Sequence, residues 1–145
     1  NQDRYRELGY PVVADLSADY LGPLVGMASA MQASDTEYLL SVPCDSPLLP
    51  ARLAEVLFQA LHRQQAEISV AHDGQRMQPV FALLRRRLLP SLLDYLEHGG
   101  RKIDTWYAQH ATALADCSGF PDAFLNVNSP EDQVLLERKL AELAR

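Results

Sequence analysis

The clearest patterning in the chain is helical. In "GPLVGMASAMQ" apolar side chains fall at Leu24, Val25, Met27, Ala28 and Met31, the spacing of one helix face, with Pro23 suited to the first turn. "PARLAEVLFQALHRQQ" repeats the pattern more strongly through Leu53, Val56, Leu57, Ala60 and Leu61, opened by Pro50. Further on, "RRRLLPSLLDYLEHGG" reads as a helix that stops at glycines, and "KIDTWYAQH" as a short one. "SPEDQVLLERKLAELA" carries a full start signal: Ser129 as cap, Pro130 in first position and Asp132 closing the box. The opening "DRYRELGY" reads as the tail of a helix stopped by Gly9, without a basic-then-apolar leader pattern.

Between these helices lie short runs with strand character. "PVVAD" and "EYLLSVP" each end in or just before an aspartate. "ISVA" and "PVFALL" flank "HDGQ", whose Asp-Gly pair predicts a type I′ hairpin turn. Pro79, near the start of the returning run, predicts an edge or a bulge, because proline cannot donate to a ladder. "AFLNVN" reads as a last strand. Strands alternating with helices predict an α/β fold with a mostly parallel sheet flanked by helices and one β-hairpin.

Composition narrows the class. The 145 residues suit a single domain with a real core, 48% of them are apolar and 22% charged, and the net charge is −6. An acidic balance argues against a nucleic-acid polymer as partner. Apolar runs of only a few residues argue against a membrane span. Cys44 and Cys117 lack any CxxC or zinc spacing and read as reduced thiols of a cytoplasmic protein, Cys44 as a small buried residue. His62, His72, His98 and His110 form no i, i+4 pair. Arg85 to Arg87 read as an exposed helical face, and Trp106 and Tyr107 as packing.

The candidate chemistry sits at strand ends. In an open parallel sheet, ligands bind beyond the carboxyl ends of the strands. Asp45 follows "LLSVP" and Asp15 follows "PVVA", so two strands are expected to bring carboxylates to one rim. Such a carboxylate suits Mg²⁺, which takes one or two of them together with substrate phosphates. It equally suits the amides of its own turn.

Four stretches, "LGPLVGM", "VPCDSPLLP", "HDGQRMQPVFAL" and "FLNVNSPED", occur in one order and together resemble the molybdenum cofactor guanylyltransferases, over residues 5–133. The resemblance implies a Rossmann-like nucleotidyltransferase fold, Mg²⁺ dependence and a cytoplasmic location. It also implies GTP and molybdopterin as substrates, with molybdoenzymes or their chaperones as further partners. Position by position, it makes Asp45 the acid that holds Mg²⁺ on the nucleotide phosphates and Asp15 an acid of the GTP site. Gly22 and Gly26 match a loop that lets the nucleotide approach the backbone. Asn126 and Asn128 match paired asparagines near the transfer site, their amides on one side of the expected strand. Arg101 and Lys102 suit the molybdopterin phosphate. Without the resemblance, the glycines fit a plain helix start, the asparagines a solvated edge and the two cations a solvated loop.

One departure stands out: the family's glycine-rich "LAGG"-type loop, with the arginine and lysine that follow it, has no match here. The expectation is a single nucleotidyltransferase-like domain over residues 1–145 that lacks an N-terminal βαβ portion and is inactive by itself. Alternatives are a related cytidylyl or sugar-phosphate nucleotidyltransferase, or a non-catalytic nucleotide- or cofactor-binding module.

Overall fold

The computed structural model describes residues 5–16 and 22–143. Its regular elements, in chain order, are α1 (Pro23–Ala33), β1 (Tyr38–Ser41), α2 (Leu53–Arg63), β2 (Ile68–His72), β3 (Met77–Arg85), α3 (Leu89–Glu97), α4 (Ile103–Tyr107), β4 (Thr112–Asp116) and α5 (Pro130–Leu143). Single 3₁₀ turns precede α3 and follow β4.

The strands form one sheet in the order β1-β3-β2-β4, with helices on both faces. Alternation along the two central strands divides the core. Ile68, Val70, Ala82 and Leu84 meet Leu24, Met27, Ala28 and Met31 of α1, together with Leu92 of α3 and Trp106 and Tyr107 of α4. Ala71, Phe81 and Leu83 face the other way, onto Leu53, Leu57, Ala60 and Leu61 of α2. The apolar faces of α1 and α2 expected from the sequence are therefore the buried ones, with Val56 half-buried. Trp106 and Tyr107 are packing residues, 0% and 2% exposed.

The sheet is mixed rather than mostly parallel. β1 and β2 both run antiparallel to β3, and only β2 and β4 are parallel. The cause is the hairpin, which places the returning strand in the centre of the sheet. Its turn is not type I′, which needs two successive positive φ values. Gly74 alone is positive, at 98°, and the four-residue loop is closed by Asp73, whose Oδ1 accepts the N–H groups of Gln75 and Arg76 at 2.8 Å each. These bonds, Arg76 first and then Gln75, with Gln78 Nε2 on the other oxygen, draw the Asp73 carboxyl down to about 2. Pro79 sits where a bulge was expected: pairing steps from Val70↔Ala82 to Ala71↔Gln78, and residues 79–81 lie outside the ladder. The Tyr107 hydroxyl donates to the Pro79 carbonyl at 2.8 Å, and burial raises its pKa.

Other expectations are corrected. "PVVAD" and "AFLNVN" pair in no ladder among the described residues. Thr112–Asp116 is a strand that the pattern concealed, because small Ala113 and Ala115 point inward while Leu114 is half exposed. Arg85 to Arg87 do not form an exposed helical face. Arg85 ends β3 with Nη1 on Glu37 at 3.1 Å and its guanidinium 5.2 Å from the Tyr38 ring, Arg86 donates to the Met31 carbonyl at 2.9 Å, and only Arg87 is exposed. The box opening α5 is as expected: Asp132 N–H donates to Ser129 Oγ at 3.1 Å, and Asp132 Oδ2 accepts the N–H groups of Asn128 and Ser129 at 3.0 Å.

Candidate functional site

β1 stops because Pro43 can offer no ladder donor, and the chain turns at Cys44 and Asp45. Cys44 is exposed, not buried as expected, since the turn projects it away from the core; Cys117 is the buried thiol. The backbone of the turn is anchored on a segment some eighty positions away. The Asp45 carbonyl accepts the Val127 N–H at 2.8 Å, and the hydroxyl of Ser46, 2% exposed, donates to Asn126 Oδ1 at 3.0 Å.

The Asp45 carboxylate itself takes no hydrogen bond or ion pair from any described residue. This separates it from three aspartates at other turns and element ends. Asp73 is consumed by its loop amides, Asp116 by Ser118, and Asp132 by Asn128 and Ser129, and each is held below the ordinary carboxylate range by those bonds. Satisfying turn amides is therefore not what Asp45 does.

The described residues contain no group of three or more His, Cys, Asp and Glu able to hold a metal. A cation held here would have Asp45 as a protein ligand and would complete its shell with oxygens from substrate and water. That donor set fits Mg²⁺, which keeps several waters and seldom uses an all-protein cage.

Asp15 reaches the neighbourhood of α1 by a different route from the one expected. It follows no strand. The Leu16 N–H donates to Ser29 Oγ at 3.0 Å, and Ser29 donates to the Val25 carbonyl at 2.7 Å, which ties this segment to the helix. A Cβ on Gly26 would stand 3.8 Å from Asp15 Oδ1, so the carboxylate and the glycine face are neighbours with room for a methyl between them. Gly22, directly before α1, has φ 87°, a left-handed value that explains glycine there. No side chain caps the helix, and its first turn holds no acid. Between this part of α1 and the outer edge of β1 runs an open groove of about 350 Å³, lined by Gly26, Met27, Leu40 and Val42 among others.

The remaining candidates are dispersed. Asn128 is exposed and contributes its backbone N–H to the α5 box. Arg101 turns its guanidinium onto the Leu96 and Gly100 carbonyls, at 2.9 and 2.6 Å, and so caps α3. Lys102 is exposed, and its carbonyl accepts the Tyr95 hydroxyl at 3.0 Å. No hydrogen bond joins Arg101 or Lys102 to Asp45 or Asn126 among the described residues. Ser29 and Ser46 are the residues that the sequence did not single out, and only their burial marks them.

A helix-flanked α/β sheet that carries an open carboxylate after an edge strand and a helix opened by glycine is an arrangement suited to nucleotides. The MobA-like NTP transferase domain family matches residues 1–117, which defines the class as a nucleotidyltransferase. A molybdenum cofactor guanylyltransferase of Shewanella sediminis is 49% identical over 142 residues, 98% of this chain and 72% of the relative. That of Shewanella loihica is 48% identical over 141 residues, 97% of this chain and 72% of its own. In fold, the chain is similar to the solved molybdopterin-guanine dinucleotide biosynthesis protein A of Archaeoglobus fulgidus, with a TM-score of 0.74 at 15% identity, over 98% of this chain and 76% of that one. The chain belongs to the molybdenum cofactor guanylyltransferase family.

Proposed function

We propose that this protein transfers GMP from GTP to molybdopterin in a Mg²⁺-dependent reaction in the cytoplasm. In that reaction an oxygen of the molybdopterin phosphate forms a bond to the α-phosphorus of GTP. The bond from that phosphorus to the β-phosphate's bridging oxygen breaks, and pyrophosphate leaves. One observation carries the assignment: Asp45 has an anchored backbone and an unengaged carboxylate, beside Asn126.

Catalysis of this kind rests on positioning and on offsetting charge. Asp45 would hold Mg²⁺, which when bound neutralises phosphate charge. Asn126, and Asn128 beyond it, would orient the acceptor phosphate through their amide N–H groups. Asp15, beside Gly26, would receive the guanine, whose N1–H and N2–H₂ edge offers two donors to one carboxylate. Gly22 and Gly26 would let the nucleotide lie close to α1. Arg101 and Lys102 would contribute positive charge to the molybdopterin phosphate only after Arg101 leaves its carbonyls, so their part is the smaller one.

Asp45→Asn keeps the size of the side chain and removes its charge. Titration of the full-length protein with GTP, with and without Mg²⁺, is expected to show Mg²⁺-dependent binding weakened by about 1.5–3 kcal/mol in the variant. Binding in the absence of metal should change little. Unchanged metal-dependent affinity would remove Asp45 from the site.

A further inference from the structure

Three serines are the buried polar residues among the described ones: Ser29, Ser46 and Ser69. Ser46 directly follows the candidate metal-holding acid, and its hydroxyl ends on Asn126 Oδ1 at 3.0 Å. We infer that Ser46 is a positioning residue for guanylyl transfer, which sets the orientation of the Asn126 amide and locks it to the Asp45 turn. The inference rests on the reading of the site given above.

The chemistry follows from the two ends of an amide. An asparagine side chain offers one acceptor oxygen and two N–H donors, whereas the non-bridging oxygens of an ionised phosphate only accept. Asn126 can serve a phosphate only with Nδ2 turned towards it. The Ser46 hydroxyl donates to Oδ1 and so occupies the wrong end, while Nδ2 donates to no described residue. Ser46 is 2% exposed, so bulk water has little access to its side of that bond. The second bond, from Val127 N–H to the Asp45 carbonyl at 2.8 Å, keeps the two segments in register. Asp45 and Asn126 are thereby held as one unit although the chain separates them by 81 positions. A hydroxyl suits this role because it donates from a short, stiff side chain and brings no charge into a buried position.

The test uses the full-length protein with Ser46→Ala, Ser46→Thr, Asn126→Ala and the Ser46→Ala/Asn126→Ala pair. Loss of orientation costs transition-state geometry more than substrate affinity, so Ser46→Ala should lower kcat by about 10- to 100-fold with KM for GTP within about twofold. Ser46→Thr, which keeps the donor, should recover most of kcat. The double variant should be no slower than Asn126→Ala, because both changes remove one coupled element. The side-chain amide signals of Asn126 in a ¹H–¹⁵N spectrum give a readout independent of turnover. They should shift in Ser46→Ala and return towards their original positions in Ser46→Thr. A Ser46→Ala enzyme with unchanged kcat, or losses that multiply in the double variant, would overturn the inference. An unmodified protein that transfers no guanylyl group would overturn the assigned reaction instead, and the amide signals would still report whether Ser46 orients Asn126.

Discussion

The backbone N–H of Leu16 donates to Oγ of Ser29, 3.0 Å away and thirteen positions on, and that bond holds the residue after Asp15 against α1. The Ser29 hydroxyl donates in turn to the Val25 carbonyl at 2.7 Å, so it both accepts and donates. Ser29→Ala would leave the Leu16 N–H without its acceptor and free the Asp15 carboxylate to move off Gly26. The expected result is a stability loss of about 1–2 kcal/mol with weaker GTP binding. Ser29→Thr should retain both properties more fully. Thermal melts and nucleotide titrations of the two variants check this, and a Ser29→Ala protein with unaltered GTP affinity would separate Ser29 from the site.

Ser69 is the opposite case. It lies in β2 with no exposed surface, and its hydroxyl has no hydrogen-bond partner among the described residues. Ser69→Ala removes an unsatisfied polar atom, so it should be neutral or stabilise by up to about 1 kcal/mol. Denaturant unfolding measures this directly. A loss of about 2 kcal/mol or more would mean that the hydroxyl is satisfied after all.

The hairpin loop should make stability depend on pH in acid. Asp73 is held near 2 by its loop bonds, against an ordinary aspartate value of about 3.9. A carboxyl depressed in the folded state stabilises fully above its unfolded value, and loses that contribution as pH falls through its folded value. The relevant window therefore runs from about pH 4 down to about pH 2. Asp73→Asn should lower the melting temperature at pH 6, and the difference from the unmodified protein should shrink across that window. A constant difference would show that the charge of Asp73 contributes nothing.

Much of this architecture was legible in the sequence, and the exceptions have physical causes. The stripes of α1 and α2 were legible because every residue that makes them apolar is also buried or half-buried. The α5 box was legible because its bonds are local. β4 was not, because its inward residues are alanines and its largest apolar side chain, Leu114, faces out. "AFLNVN" looked like a strand because its residues suit extended backbone. Its structural role is to receive the Asp45 turn, and one bond from Val127 does not make a ladder. The mixed sheet is not legible in the sequence, because alternating strands and helices imply crossovers, while the hairpin between His72 and Met77 reverses direction. Asp45 could be found from its place after a strand. Ser29 and Ser46 could not, since a serine that anchors a site is spelled like any other serine.

Guanylyl transfer itself is measured by supplying the full-length protein with Mg²⁺, molybdopterin and equal amounts of GTP, CTP and ATP and identifying the products by mass spectrometry. The predicted result is molybdopterin-guanine dinucleotide in large excess over the cytosine and adenine forms, with pyrophosphate released in equal measure and the product lost in Asp45→Asn. Equal or greater formation of the cytosine dinucleotide, or no dinucleotide from any of the three, would contradict it.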